Sequence, residues 1–128
     1  IENVKITLHV GGSTFLPVKA SDTKDHVMHA EYGHISPENA EIITRAKHAG
    51  RRIVSIGTTA LRLLESAADE TGTVHSFNRE TSIFITPGYA FKAVDALFTN
   101  FHLPINTRLN RNIAFFPTAT RVFWKRSK

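Results

Sequence analysis

Side chains able to move a proton near neutral pH gather in two places in this sequence. His26, His29 and Glu31 fall within six positions, and Asp95, Asn100 and His102 within eight. Imidazole titrates close to neutrality, so each histidine can take a proton from carbon or give one to a leaving group, and a carboxylate can do the same once its surroundings tune it. Asp95 sits inside the apolar run Val94 to Phe98, where a carboxylate needs either a hydrogen-bond partner or a chemical role. Two other readings stay open for the first cluster. His26, His29 and Glu31 are suitable ligand types for a metal-dependent hydrolase, but their spacing matches no common zinc motif, and no metal is expected. The same residues also suit a solvated surface loop. An extended backbone would put His29 and Glu31 on one face and His26 on the other, and a helix would align His26 with His29.

A second set of residues has binding rather than proton chemistry. Gly57-Thr58-Thr59 follows an apolar strand and opens a helix, the junction at which α/β proteins expose free N–H groups and a positive dipole end to a ligand. Thr58 and Thr59 add hydroxyls, for a ligand or for simple N-capping. Arg62, one turn in, can reach the same pocket or a phosphate, with Glu65 as a candidate partner. Gly11-Gly12 follows a strand as well and reads as a tight turn or as a loop that lets backbone approach a ligand. Asn100 can hydrogen-bond polar substrate atoms.

The elements that must carry these groups alternate between strand and helix. Val4, Ile6 and Leu8 alternate with Lys5, Thr7 and His9, the period of a half-buried strand. Residues 21–34 are polar, poorly periodic and predicted as a loop. Ser36-Pro37 predicts a helix with Ser as N-cap and Pro in its first turn, ending at Gly50 after Arg45, Lys47 and His48. Ile53 to Ile56 predicts a strand, and Thr58 through Leu61, Leu64 and Ala68 to Gly72 a second helix. Residues 72–82 read as a polar connection back to a buried strand at Ile83 to Ile85, closed by Pro87-Gly88. A further strand is expected to end near the Asp95 to His102 cluster.

With 128 residues and 41% hydrophobic content, the chain suits one soluble core. No apolar run approaches the roughly 20 residues that span a bilayer, and the absence of cysteine removes disulfides, thiolate metal sites and a Cys nucleophile; the cytoplasm is the expected location. The net charge of +5 is uneven. Residues 106–128 hold six basic residues and no acid, while residues 1–105 carry ten basic and eleven acidic residues, a net −1. Overall charge is therefore a poor argument for nucleic-acid binding outside the tail.

Taken together, ITLHVGGSTFLPV (6–18), HVMHAE (26–31), GRRIVSIGTTALRLLES (50–66) and FITPGYAFKAVDALFTNFHLP (84–104) closely resemble the S-adenosylmethionine:tRNA ribosyltransferase-isomerase family of queuosine biosynthesis. The resemblance covers nearly all of residues 4–104. It implies transfer of the ribosyl part of S-adenosylmethionine, here a substrate, onto 7-aminomethyl-7-deazaguanine at the wobble position of tRNA, giving epoxyqueuosine and releasing adenine and methionine. It implies candidate acids and bases at His26, His29, Glu31, Asp95 and His102. Contacts to the nucleoside or RNA backbone are implied at Gly11, Gly12, Gly57, Thr58, Thr59, Arg62 and Asn100. The implied fold is a partial three-layer α/β domain with a mixed sheet, incomplete beside a parent enzyme that also has a β-barrel domain.

Three departures accompany the resemblance. Ser13 stands where the family usually has Gly, and Ser82 where it usually has Asp. After His102-Leu103-Pro104 the family continues with Ser-Thr-Leu and a long apolar helix, whereas Ile105-Asn106-Thr107-Arg108 leads into a basic stretch that reads as a frameshift or truncated reading. The expectation is a fragment, residues 1–105 from the catalytic domain and 106–128 an atypical tail, inactive in isolation. The rival from another class is a non-catalytic tRNA- or nucleotide-binding module, marked by steeply salt-dependent binding.

Overall fold

The computed structural model describes residues 1–11, 30–86 and 88–99, with the backbone of 121–124. It is a partial α/β domain in which β1 (Thr7–His9), β2 (Glu31–Ile35), α1 (Pro37–His48), β3 (Val54–Ile56), α2 (Thr58–Ala67), β4 (Phe77–Thr81), β5 (Ala96–Thr99) and β6 (Arg121–Trp124) follow in order. Strands of both senses are present, divided between two sheets. One is antiparallel, in the order β1-β2-β4, and the other parallel, in the order β3-β5-β6. The last strand lies in the basic stretch, and its backbone pairs with β5 from Ala96 opposite Arg121 to Thr99 opposite Trp124.

Helix α1 forms where its end signals place it. The Ser36 side chain accepts the Asn39 N–H at 3.2 Å, Pro37 occupies the first turn, and Gly50 follows the helix with a φ of 71°. Ala40 and Ile43 turn inward. Helix α2 is buried nearly all round, including Leu61, Leu63 and Leu64, because it touches strands of both sheets. A helix shared between two sheets has little solvent face to make polar. Its residues join Ile35, Phe77, Val94 and Leu97 in one core.

Several expectations need correction. Residues 31–35 are strand β2 and not loop: Glu31, Gly33 and Ile35 face inward while Tyr32 and His34 face out. The pattern hides in sequence because its inward residues include a charge and a glycine. A Cβ at Gly33 would lie 2.5 Å from Leu63 Cδ1, so a side chain there would have to push the Leu63 side chain aside. The strand expected at Ile83 to Ile85 is not formed; the preceding connection supplies β4 instead, paired with β2. The reason lies in the side chains that reach this segment. The Ile83 carbonyl accepts from Arg62 Nε at 3.3 Å and its N–H donates to Thr81 Oγ1 at 3.2 Å, so side chains take the groups a partner strand would need. Helix α2 also stops before Gly72, at Ala67, and the strand that pairs in parallel with β3 is β5.

The turn beyond α2 is organised by Asp69. Its carboxylate accepts from the Thr71 hydroxyl and from the Thr71 and Thr73 N–H groups, and meets His75 Nε2 at 2.7 Å. The Thr71 hydroxyl first, and His75 next, hold its pKa well below the ordinary carboxylate range. A depressed folded pKa contributes stability above the unfolded value and loses it as pH falls. A carboxyl-carbon NMR titration is therefore expected to show Asp69 ionised to lower pH in the folded chain than in the unfolded one, with the turn loosening only in strong acid. Gly72 in this turn has a φ of 82°, and a Cβ there would lie 2.5 Å from the Lys92 carbonyl oxygen. Gly72→Ala is expected to cost about 1–3 kcal/mol in urea unfolding, since its positive φ strains a side chain and the Lys92 carbonyl resists the insertion.

Candidate active site

The parallel sheet presents its strand ends beside the start of α2. Gly57 links β3 to the helix with a φ of 87°, a conformation that disfavours side chains, and open space surrounds the point where a Cβ would stand. It is the N-cap, with no side-chain cap bond. Thr58 is the first helical residue and is buried, so threonine capping is not used here. The Gly57 N–H donates to the Phe98 carbonyl at 2.8 Å, which ties the helix start to the end of β5. Thr59 is half-buried in the first turn. Free N–H groups at such a start favour negative or polar ligand atoms.

Glu31 and Arg62 are brought together from positions 31 residues apart. Arg62 Nη1 donates to Glu31 Oε2 in an ion pair whose two side chains are almost wholly inaccessible. Glu65 is therefore not the partner of Arg62. Its carboxylate accepts the N–H groups of Lys92, Ala93 and Val94 at 2.9, 3.1 and 3.0 Å, and the Tyr89 hydroxyl at 3.2 Å. Burial, and then the negative charge of Glu65, push the Tyr89 phenol well above its usual range, so it stays protonated as a donor. Asp95 has a scaffold partner also: Oδ2 accepts the Ile53 N–H at 2.7 Å while the Asp95 N–H donates to the Ile53 carbonyl at 2.9 Å.

Of the residues singled out from sequence, Gly11 is exposed shortly after β1. His26, His29, His102, Gly12 and Asn100 lie outside the described residues. Among the described residues no group of three histidine, cysteine or acidic side chains is placed to hold a metal ion. Sequence reasoning passed over Glu65 as more than a possible ion-pair partner, although a signal existed. Leu61, Leu64 and Ala68 define an apolar stripe at helical spacing, and Glu65 lies on it. A carboxylate on a buried stripe must find donors.

The family of queuosine biosynthesis proteins matches residues 1–122. The chain is 59% identical over 107 residues to the S-adenosylmethionine:tRNA ribosyltransferase-isomerase of Zymomonas mobilis, covering 84% of this chain and 31% of the relative. It is 64% identical over 103 residues to the protein of that name from Bradyrhizobium diazoefficiens, covering 80% of this chain and 28% of the relative. The crystal structure of the S-adenosylmethionine tRNA ribosyltransferase of Thermotoga maritima is similar with a TM-score of 0.53 and 38% identity, over 60% of this chain and 27% of that one. The chain thus spans less than a third of the length of these relatives. Extended identity, a matching fold and a family match over almost the whole chain converge: this chain belongs to the queuosine biosynthesis protein family.

Proposed function

We propose that this chain supplies part of the catalytic domain of an enzyme that moves the ribosyl group of S-adenosylmethionine onto 7-aminomethyl-7-deazaguanine in the wobble position of tRNA. The observation that carries the reading is 59–64% identity over more than 100 residues to proteins that bear the name of this activity. Residues 1–105 are assigned to the catalytic segment. A base removes a proton beside the sulfonium, whose positive sulfur stabilises the carbanion, and an acid protonates adenine as it leaves. We assign these proton transfers to His26, His29 and His102, because Glu31 and Asp95 already hold an arginine and a backbone N–H. Gly57, Thr58 and Thr59 at the start of α2, with Gly11, Gly12 and Asn100, are assigned to substrate contacts. Arg62 supports the site from within the core, since its charge is met by Glu31. Among the described residues no helix is long and apolar enough to cross a membrane, and a tRNA substrate assigns the enzyme to the cytoplasm.

The test is adenine release from S-adenosylmethionine with precursor-bearing tRNA. It is run on a chimera in which this chain's matching segment replaces that of the Zymomonas mobilis relative, and on this chain alone. Turnover in the chimera that requires both substrates is the expected result. Salt-sensitive tRNA binding without adenine release would favour the non-catalytic binding module.

A further inference from the structure

We infer that Glu65 is a positioning residue that fixes strand β5 against the start of α2, and so sets the spacing between the two halves of the candidate site. Three consecutive N–H groups, those of Lys92, Ala93 and Val94, converge on its carboxylate with the Tyr89 hydroxyl. Successive backbone N–H groups form a concavity that holds an anion, and here the anion is a side chain of the protein itself, 2% exposed. Hydrogen bonds to an ionised acceptor are stronger than neutral ones, and four on one buried group leave the segment little freedom.

The carbonyl side of the same segment is held as well. Lys47, from the last turn of α1, donates to the Lys92 carbonyl and to the Ala93 carbonyl, the latter at 3.0 Å. Val94 and Ala93 are fully packed in the core, and Asp95 then joins Ile53 at the entry to the parallel pair.

Helix α2 therefore grips β5 at both ends. Glu65, two turns into the helix, holds the backbone that enters the strand, and Gly57, at the helix start, donates to Phe98 near the strand's exit. With both ends tied to one rigid helix, the Gly57-Thr58-Thr59 start and the Thr99 end of β5 keep one relative position. A site that needs reacting groups held to a fraction of an ångström loses rate when such support slackens. Glu65 acts through the backbone and touches no substrate. This catalytic consequence rests on the function proposed above, while the structural grip does not.

Glu65→Gln keeps the size of the side chain but places an NH₂ group among donors. In the chimera, amide hydrogen exchange at Lys92, Ala93 and Val94 is expected to quicken at least 100-fold, with a rise of at least tenfold at Gly57, while α1 amides keep their protection. Adenine release per folded molecule should fall at least tenfold in kcat, with KM for S-adenosylmethionine changed less than threefold. If Glu65→Gln does not fold, Tyr89→Phe removes one of the four bonds and should quicken the same amides, Gly57 included, by two- to fivefold. Faster exchange confined to residues 92–94, or kcat unchanged with those amides opened, would overturn the proposal. Should the unmodified chimera release no adenine, the proposed reaction fails on its own, and the exchange at Gly57 still decides whether Glu65 fixes β5.

Discussion

Arg62→Met is expected to destabilise the fold by about 3–5 kcal/mol, the usual consequence of removing one partner from a buried ion pair. Both side chains are almost fully enclosed, at 7% and 1% exposure, so water cannot replace the guanidinium beside the Glu31 carboxylate. Arg62 Nε also holds the Ile83 carbonyl, and its loss frees the segment after β4. The effect is not a measure of what the pair contributes. Desolvating both charges offsets most of their attraction, so Glu31→Leu with Arg62→Met should recover a large part of the loss. Urea unfolding of the two single variants and the double variant forms the decisive cycle. Strict additivity of the two single losses would show that the residues act independently, against the geometry. One guanidinium nitrogen, Arg62 Nη2, is buried with no acceptor among the described residues. Within that set the missing bond adds to the case that an apolar pair would be tolerated.

What could be read from sequence follows from how local each signal is. Helix α1 was legible from Ser36, Pro37 and Gly50 because caps and breakers act on their own neighbours. The strand–turn–helix at Ile53 to Thr59 was legible for the same reason, and the alternation of Val4, Ile6 and Leu8 correctly marked their half-buried face. Strand β4 was not, since Phe77 and Thr81 are its only buried residues and Asn78, Arg79 and Glu80 between them look like a loop. Ile83 to Ile85 was misread in the opposite direction. Its apolar character reports burial faithfully, but pairing depends on where its N–H and carbonyl groups go, and Thr81 beside it and Arg62 from 21 residues away decide that. The carboxylates show the same limit. Asp95 was legible as a carboxylate needing a partner or a role, Glu31 as a candidate acid or base and Glu65 as a candidate partner of Arg62, yet which donors they meet is set by contacts 24 to 42 residues away in sequence. Composition identified groups able to do chemistry, and the fold shows that three of them are engaged in holding it together.

That engagement separates the residues proposed for catalysis by a sharp difference in rate. In the chimera, His29→Ala is expected to lower kcat for adenine release by about 10²–10⁴-fold, the range for losing a general acid or base. Asp95→Asn is expected to lower it less than about fivefold, because the amide oxygen of Asn can still accept the Ile53 N–H that Asp95 Oδ2 accepts at 2.7 Å and only the charge assistance to that bond is lost. Asp95→Ala removes the acceptor altogether and should act mainly on stability, by about 1–3 kcal/mol for a half-buried N–H left without its partner. The contrast between Asn and Ala at one position is therefore informative where either alone is not. A scaffold carboxylate tolerates Asn and suffers from Ala in folding, whereas a proton-transferring carboxylate loses rate with both. Equal losses of 100-fold or more in kcat for Asp95→Asn and His29→Ala, with both proteins folded, would return Asp95 to the proton-transfer chemistry and require its side chain to leave Ile53 during turnover.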